Sequence, residues 1–256
     1  MKIARFSSPG EDPRFGVVDG DDLVVLAGDP MFAGYETTGE RVPLKSTKIL
    51  APVIPRSKVI GIGLNYYDHA DEMGQEPPEF PLVFLKPNTS VIGPGDAIQI
   101  PPVEGEIHFE GELAIVIGSI AKRVRAEDYV DVVFGYTIAN DVSARGPQEN
   151  DGQWARAKSY DTFCPLGPYI ETELDWTDVK ITSRVDGERR QSESTEQMIH
   201  KIPQLIEYVS DIFTLLPGDV ILTGTPAGVG PFEAGQTVEI AIEGIGSLIN
   251  PAKNRT

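Results

Sequence analysis

His108-Phe109-Glu110-Gly111-Glu112-Leu113-Ala114-Ile115-Val116-Ile117-Gly118 reads as one strand whose first half is charged on a single face. Side chains alternate along a strand, so His108, Glu110 and Glu112 share a side while Phe109, Leu113, Ile115 and Ile117 line the other. Two carboxylates about 7 Å apart along a strand repel one another once they leave water. The simplest way to neutralise them is a hard divalent cation that takes oxygen ligands. A solvated polar edge would show the same pattern, so the surrounding chain has to decide between the two.

Outward from this stretch the chain reads as short strands separated by turns. Strands are expected over Lys58 to Ile62, Leu82 to Leu85, Ala97 to Ile100, Phe134 to Asn140 and Val238 to Ile242. Lys180 to Val185 and Arg189 to Ser192 form a hairpin about Asp186-Gly187. Before them, Lys2 to Phe6, Phe15 to Val18 and Leu23 to Leu26 make a small β unit, and Ala51-Pro52-Val53-Ile54-Pro55 favours an extended linker. The division expected is therefore a small N-terminal β domain over 1–52 and a larger domain over 53–256. One clear helix starts at Pro203 and puts Leu205, Ile206, Val209, Ile212, Phe213 and Leu216 on one face. Strands do not alternate with helices, so the class is mostly β (α+β) rather than doubly wound. Gly61 and Gly63 lack the third glycine and the following helix of a dinucleotide site.

Net charge narrows the functions. At −17, with an isoelectric point near 4.5, the chain has no basic excess to meet nucleic acid or an anionic membrane. A small anionic substrate remains open to it, provided that cations or a metal gather locally. Cys164 is the only cysteine, which rules out an intramolecular disulfide and a cysteine-based zinc site. The N-terminus carries no apolar signal core and no run suits a membrane span, so a cytoplasmic protein is expected.

Three clusters can carry chemistry. His69 and Glu72 lie one helical turn apart if Asn65 caps a short helix, and a carboxylate beside an imidazole makes a general base. Asn140-Asp141-Val142-Ser143-Ala144-Arg145-Gly146-Pro147-Gln148, with Arg156 and Lys158 following, supplies the local positive charge that the chain otherwise lacks. There Asp141 suits a third oxygen ligand beside Glu110 and Glu112. Arg145, with Gln148, suits a substrate carboxylate, and Lys158 suits the negative charge of an enolate. A solvated loop pairing with Glu149, Asp151 and Asp161 is the plainer alternative. Thr223-Gly224-Thr225-Pro226-Ala227-Gly228 offers the Thr225 hydroxyl and backbone amides to an anion.

Taken together, these motifs resemble the fumarylacetoacetate hydrolase family over about residues 58 to 245. They run in order: Gly-Leu-Asn-Tyr with His69 and Glu72; Phe84-Leu85-Lys86-Pro87; Glu110-Gly111-Glu112-Leu113; Asn140-Asp141-Val142-Ser143-Ala144-Arg145; Asp161 to Pro168; and Gly224-Thr225-Pro226. The resemblance implies a mixed β-roll main domain, usually a homodimer. It also implies Mg²⁺ or Mn²⁺ on Glu110, Glu112 and Asp141, and a His69–Glu72 dyad on a lid. Where members often carry an acid after the arginine, this chain has Gly146-Pro147. The expected activity is cleavage of a carbon–carbon bond in a 2-oxo acid through a metal-bound enolate, by oxaloacetate decarboxylation or acylpyruvate hydrolysis. Isomerisation of a 2-hydroxyhepta-2,4-diene-1,7-dioate type of acid and a non-catalytic, metal-stabilised binding protein are the alternatives.

Overall fold

The charged strand divides at Glu110. In a computed structural model, which describes residues 1–255, Ile107–Phe109 pairs with Ser143–Ala144 and Gly230–Pro231 in a three-stranded sheet, while Gly111–Ile117 enters a sheet of twelve strands. The single strand read from the sequence is thus two. Glu110 between them gives its N–H to the Asn140 side chain at 3.0 Å instead of to a ladder. Gly111–Ile117 is buried along its whole length. One face sends Leu113, Ile115 and Ile117 into the largest core, and the other sends Ala114 and Val116 into a second core with Val59, Val220 and Leu222. Two buried faces explain the near-continuous apolar run after Glu112.

In spatial order the large sheet runs Thr37–Pro43, Asp22–Leu26, Arg14–Asp19, Lys2–Ser7, Cys164–Glu171, Val133–Asn140, Gly111–Ile117, Val220–Leu222, Val59–Gly63 and Leu82–Lys86. The register between its middle strands positions the chemistry. Gly111 pairs with Asn140 and Glu112 with Ala139, so Asp141 emerges beside Glu110 and gives its N–H to the Glu110 carbonyl at 2.9 Å. At the N-terminal end, Ala4, Phe6, Leu23 and Val25 form a small core of their own, and Ile3 pairs with Ile170 across the sheet.

A five-stranded sheet, Glu188–Ser194, Lys180–Val185, Thr237–Ile242, Gly246–Asn254 and Ile98–Ile100, lies outside the large one. The C-terminal strand expected at Val238 belongs here, and the long strand after it was not anticipated. The main helix is Ile202–Ile212, with Leu205, Ile206 and Val209 buried; it stops before Phe213 and Leu216, and Ile212 is exposed. With many strands and short helices the fold is mostly β, as the strand pattern indicated. Among the described residues no helix is long and apolar enough to cross a membrane.

Candidate active site

Glu110, Glu112 and Asp141 are all buried, with one carboxylate oxygen of each lying within 4.8 Å of the others. Three elements bring them together: Glu110 sits at the break between two strands, Glu112 near the start of Gly111–Ile117, and Asp141 just past the end of Val133–Asn140. Ser143 Oγ donates to Glu110 Oε1 at 3.0 Å, and the Gly224 N–H donates to Glu112 Oε2 at 2.6 Å. These bonds fix which oxygens face inward.

Fixed cations surround the triad. Lys158 Nζ lies 2.7 Å from both Glu110 Oε2 and Asp141 Oδ2, Arg145 Nη2 lies 2.8 Å from Glu110 Oε1, and Lys86 Nζ lies 2.5 Å from Asp141 Oδ1. Burial alone would raise the Glu110 carboxyl, but the Lys158 ammonium and the Arg145 guanidinium outweigh it and hold Glu110 far below the usual carboxylate range. Burial likewise acts to lower Lys158, and Asp141 and Glu110 more than offset it, so Lys158 stays an ammonium. Glu112 differs: burial pushes its carboxyl well up, and the Asp141 and Glu110 charges push it the same way. Its oxygens have no ammonium or guanidinium partner among the described residues. A third buried carboxylate without a counter-charge, facing two others, is an oxygen-donor set that a divalent cation fits.

His69 stands over this group on a short helix, Tyr67–Glu72. Its Nδ1 lies 3.0 Å from Glu72 Oε2. A carboxylate only accepts, so Nδ1 carries a hydrogen, and in the neutral ring it is Nε2 that holds the free lone pair. Glu72 is itself held by the Gly228 N–H at 3.0 Å, and Asp68 by the Ala227 N–H at 3.2 Å. Asn65 does not cap this helix, as the sequence suggested. Its amide instead donates to the His200 and Thr223 carbonyls and accepts the His200 N–H, while Leu64 before it turns the chain through a left-handed φ of 53°.

His69, Glu110, Glu112, Asp141, Arg145, Gln148, Lys158 and Thr225 line one cavity, and Glu72 stands behind His69. Gln148 Oε1 accepts from Arg145 Nη1 at 2.7 Å. Arg145 Nη2 is buried and near Glu110, yet it is aligned to no protein acceptor, so an N–H is left for a ligand. The Thr225 hydroxyl, in contrast, is spent inside the protein: it donates to the Gly111 carbonyl at 2.9 Å and accepts from Gln191 Nε2 at 2.7 Å. Arg156 leaves the group altogether, pairing with Asp151 on the surface. Gly146 is demanded by packing, since a Cβ there would lie 2.0 Å from the Glu104 carbonyl oxygen.

The sequence motif Phe84-Leu85-Lys86-Pro87 came with no role for Lys86, and nothing in the sequence pointed to the aromatic wall. Lys86 ends the strand Leu82–Lys86 and is 1% exposed. Its signal was available, because a lysine closing an apolar strand is buried only if it is paired. Phe84 lies under Lys158 Nζ at 5.1 Å and meets Trp154 edge-on at 5.5 Å. Gly61 and Gly63 leave the space for those two rings: a Cβ would lie 2.1 Å from Phe84 at the first and 2.5 Å from Trp154 at the second.

Residues 58–253 match the family model described as fumarylacetoacetate (FAA) hydrolase, C-terminal, and residues 1–52 match one described as Rv2993c-like, N-terminal. The structure of 5-carboxymethyl-2-hydroxymuconate delta-isomerase from Mycobacterium smegmatis is 48% identical, covers 100% of both chains and has a TM-score of 0.93. Oxaloacetate tautomerase Fahd2a, mitochondrial, of Rattus norvegicus is 44% identical over 82% of this chain and 70% of its own length. Maleylpyruvate hydrolase from Sphingobium sp. SYK-6, solved with manganese(II) ion and pyruvate, is 31% identical with a TM-score of 0.83 over 100% of both chains. An isomerase, a tautomerase and a hydrolase thus share the frame that here gathers three carboxylates beneath a histidine, and this chain belongs to the fumarylacetoacetate hydrolase family of enzymes.

Proposed function

We propose that the protein cleaves the C3–C4 bond of a small anionic 2-oxo acid, one bond removed from the keto group, so that the electron pair passes into the enolate, in a reaction that requires Mg²⁺ or Mn²⁺. The observation that carries this reading is that His69, 3.0 Å from Glu72, lines one cavity with three buried carboxylates. Glu110, Glu112 and Asp141 would hold the cation. When bound, it supplies Lewis acidity to the keto oxygen of the acid. The chain's own charges favour an anion: Lys86, Lys158 and Arg145 already offset Glu110 and Asp141, so a divalent cation on the triad would add positive charge for the carboxylates of a substrate.

Arg145, oriented by Gln148, turns its remaining N–H groups to the substrate carboxylate. Lys158, with Phe84 behind it, faces the negative charge that develops as the bond breaks. In an acylpyruvate, His69 Nε2 takes a proton from water as the water oxygen bonds to the second carbonyl. The carbon–carbon pair then passes to the enolate, which is protonated at carbon. In oxaloacetate the same bond leads to a carboxylate, carbon dioxide leaves, and the enolate again takes up a proton. A second reading, keto–enol proton transfer without cleavage, is favoured by the names of the rat tautomerase and the M. smegmatis isomerase.

The test is to incubate the purified protein with oxaloacetate and with acylpyruvates, in Mn²⁺, in Mg²⁺ and in chelator, and to follow products by NMR. Metal-dependent appearance of pyruvate supports cleavage. Enol and keto forms that interconvert without pyruvate sink cleavage and support the second reading. His69→Ala should lower turnover about 10²-fold or more, as loss of a general base does, with Mn²⁺ binding by calorimetry nearly unchanged. Metal binding lost with turnover kept would remove His69 from the role of base.

A further inference from the structure

Gln191 takes no part in the chemistry above, yet its amide is fully buried and fully used. It lies on Glu188–Ser194, in the five-stranded sheet, and is 0% exposed. Its Oε1 accepts the Gly111 N–H at 3.0 Å, and its Nε2 donates to Thr225 Oγ1 and to the Pro226 carbonyl, both at 2.7 Å. Thr225 Oγ1 returns to the Gly111 carbonyl at 2.9 Å, which closes a ring of hydrogen bonds on the one residue between Glu110 and Glu112. A primary amide has two donors, and both are committed here.

The loop that this ring grips has two working sides. Toward the carboxylates, the Gly224 N–H holds Glu112; toward the short helix, the Ala227 and Gly228 N–H groups hold Asp68 and Glu72. A shift of the loop therefore moves the histidine dyad relative to the triad, and Gln191, with Thr225, ties the loop to the strand that carries Glu112. We infer that Gln191 is a positioning residue that sets the distance between the His69–Glu72 dyad and the three carboxylates by clamping residues 224–228 against Gly111. This rests on the proposed role of His69 as base. A glutamine that only satisfies buried backbone groups would be a structural residue, and the two roles differ in what they couple to.

The experiment is a double-mutant cycle with Gln191→Met, which keeps the length of the side chain and removes its polar atoms, alone and with His69→Ala. Gln191→Met alone should lower kcat on the cleaved 2-oxo acid about 10- to 100-fold, the usual cost of losing a hydrogen bond that supports a metal site, with smaller changes in Mn²⁺ affinity. On top of His69→Ala it should cost little more, because the base it positions is already gone. An equal loss in both backgrounds, or activity as in the parent, overturns the inference. Hydrogen exchange without ligand reads the clamp independently of activity. Gln191→Met should speed exchange over 224–228 and 67–72 together and leave 112–117 slow, whereas unchanged exchange in both segments rejects it. An inactive parent protein would refute the proposed reaction, while the exchange result would still stand or fall by itself. If Gln191→Met does not fold, Thr225→Val opens the same ring from the other side and should produce the same pair of exchange changes; their absence would be equally decisive.

Discussion

Lys86 and Lys158 both point at Asp141, one to each oxygen, and neither has water to turn to. Removing one partner of a buried charge group leaves the other uncompensated, which typically costs about 3–5 kcal/mol. Lys86→Met should therefore lower stability by about that amount in denaturant titration without added metal. A loss no larger than that of an exposed lysine would show that Lys158 alone neutralises Asp141. Cys164, in the neighbouring core, has its thiol pushed up to about 12 by burial. In the unfolded chain a thiol ionises near about 8.5, so the folded state binds this proton more tightly. The contribution is intact below that pH and is lost as pH rises toward the folded value. The native protein should resist a thiolate-directed reagent at pH 8 and react on unfolding, and rapid labelling of the native protein would place the thiol nearer solvent.

The short helix Tyr67–Glu72 and the coil after it form the segment that the family resemblance implies to be a lid, and its acids and prolines leave little apolar surface to hold it down. The structure shows what takes the place of that surface. Asp68 and Glu72 accept backbone N–H groups of the glycine loop, Ala70 is buried, and beyond the coil Phe80 stacks on Tyr208 at 6.4 Å. Two hydrogen bonds to charged acceptors contribute about 1.5–3 kcal/mol each, which is small beside the stability of the sheet. The segment should open locally on its own. Hydrogen exchange over 66–80 should be faster than over Gly111–Ile117 in the free protein and slow markedly with Mn²⁺ and oxalate bound. Equal protection with and without oxalate would mean a fixed wall.

At the scale of the whole molecule the site is a junction. The triad comes from the large sheet, Ser143 from the three-stranded one and Gln191 from the five-stranded one, so a cation on the triad would bind only when these are assembled. A ligand that binds the folded state alone stabilises it by about 2.7 kcal/mol at one hundred times its dissociation constant. Mn²⁺ at that excess should raise the melting temperature of the parent, and Glu110→Gln should erase the rise. A rise that persists in the variant would put the cation elsewhere.

Legible in the residues alone are the β class, the two carboxylates spaced by one residue, the one-turn spacing of His69 and Glu72, and the first turns of the helix expected from Pro203. Each of these is a local period, and a period of two or of 3.6 is written in neighbouring residues. Tertiary structure alone decided that the acidic strand breaks at Glu110, that Lys86 lies under Asp141, that Asn65 ties to His200, that Arg156 faces away and that Gln191 closes on Gly111. These depend on register between strands far apart in the chain: Glu110 meets Asn140 30 residues on, Lys86 meets Asp141 across 55, and Gly111 meets Gln191 across 80. Alternation says which face a side chain takes, but a buried polar group finds its partner only when two distant strands are set in register.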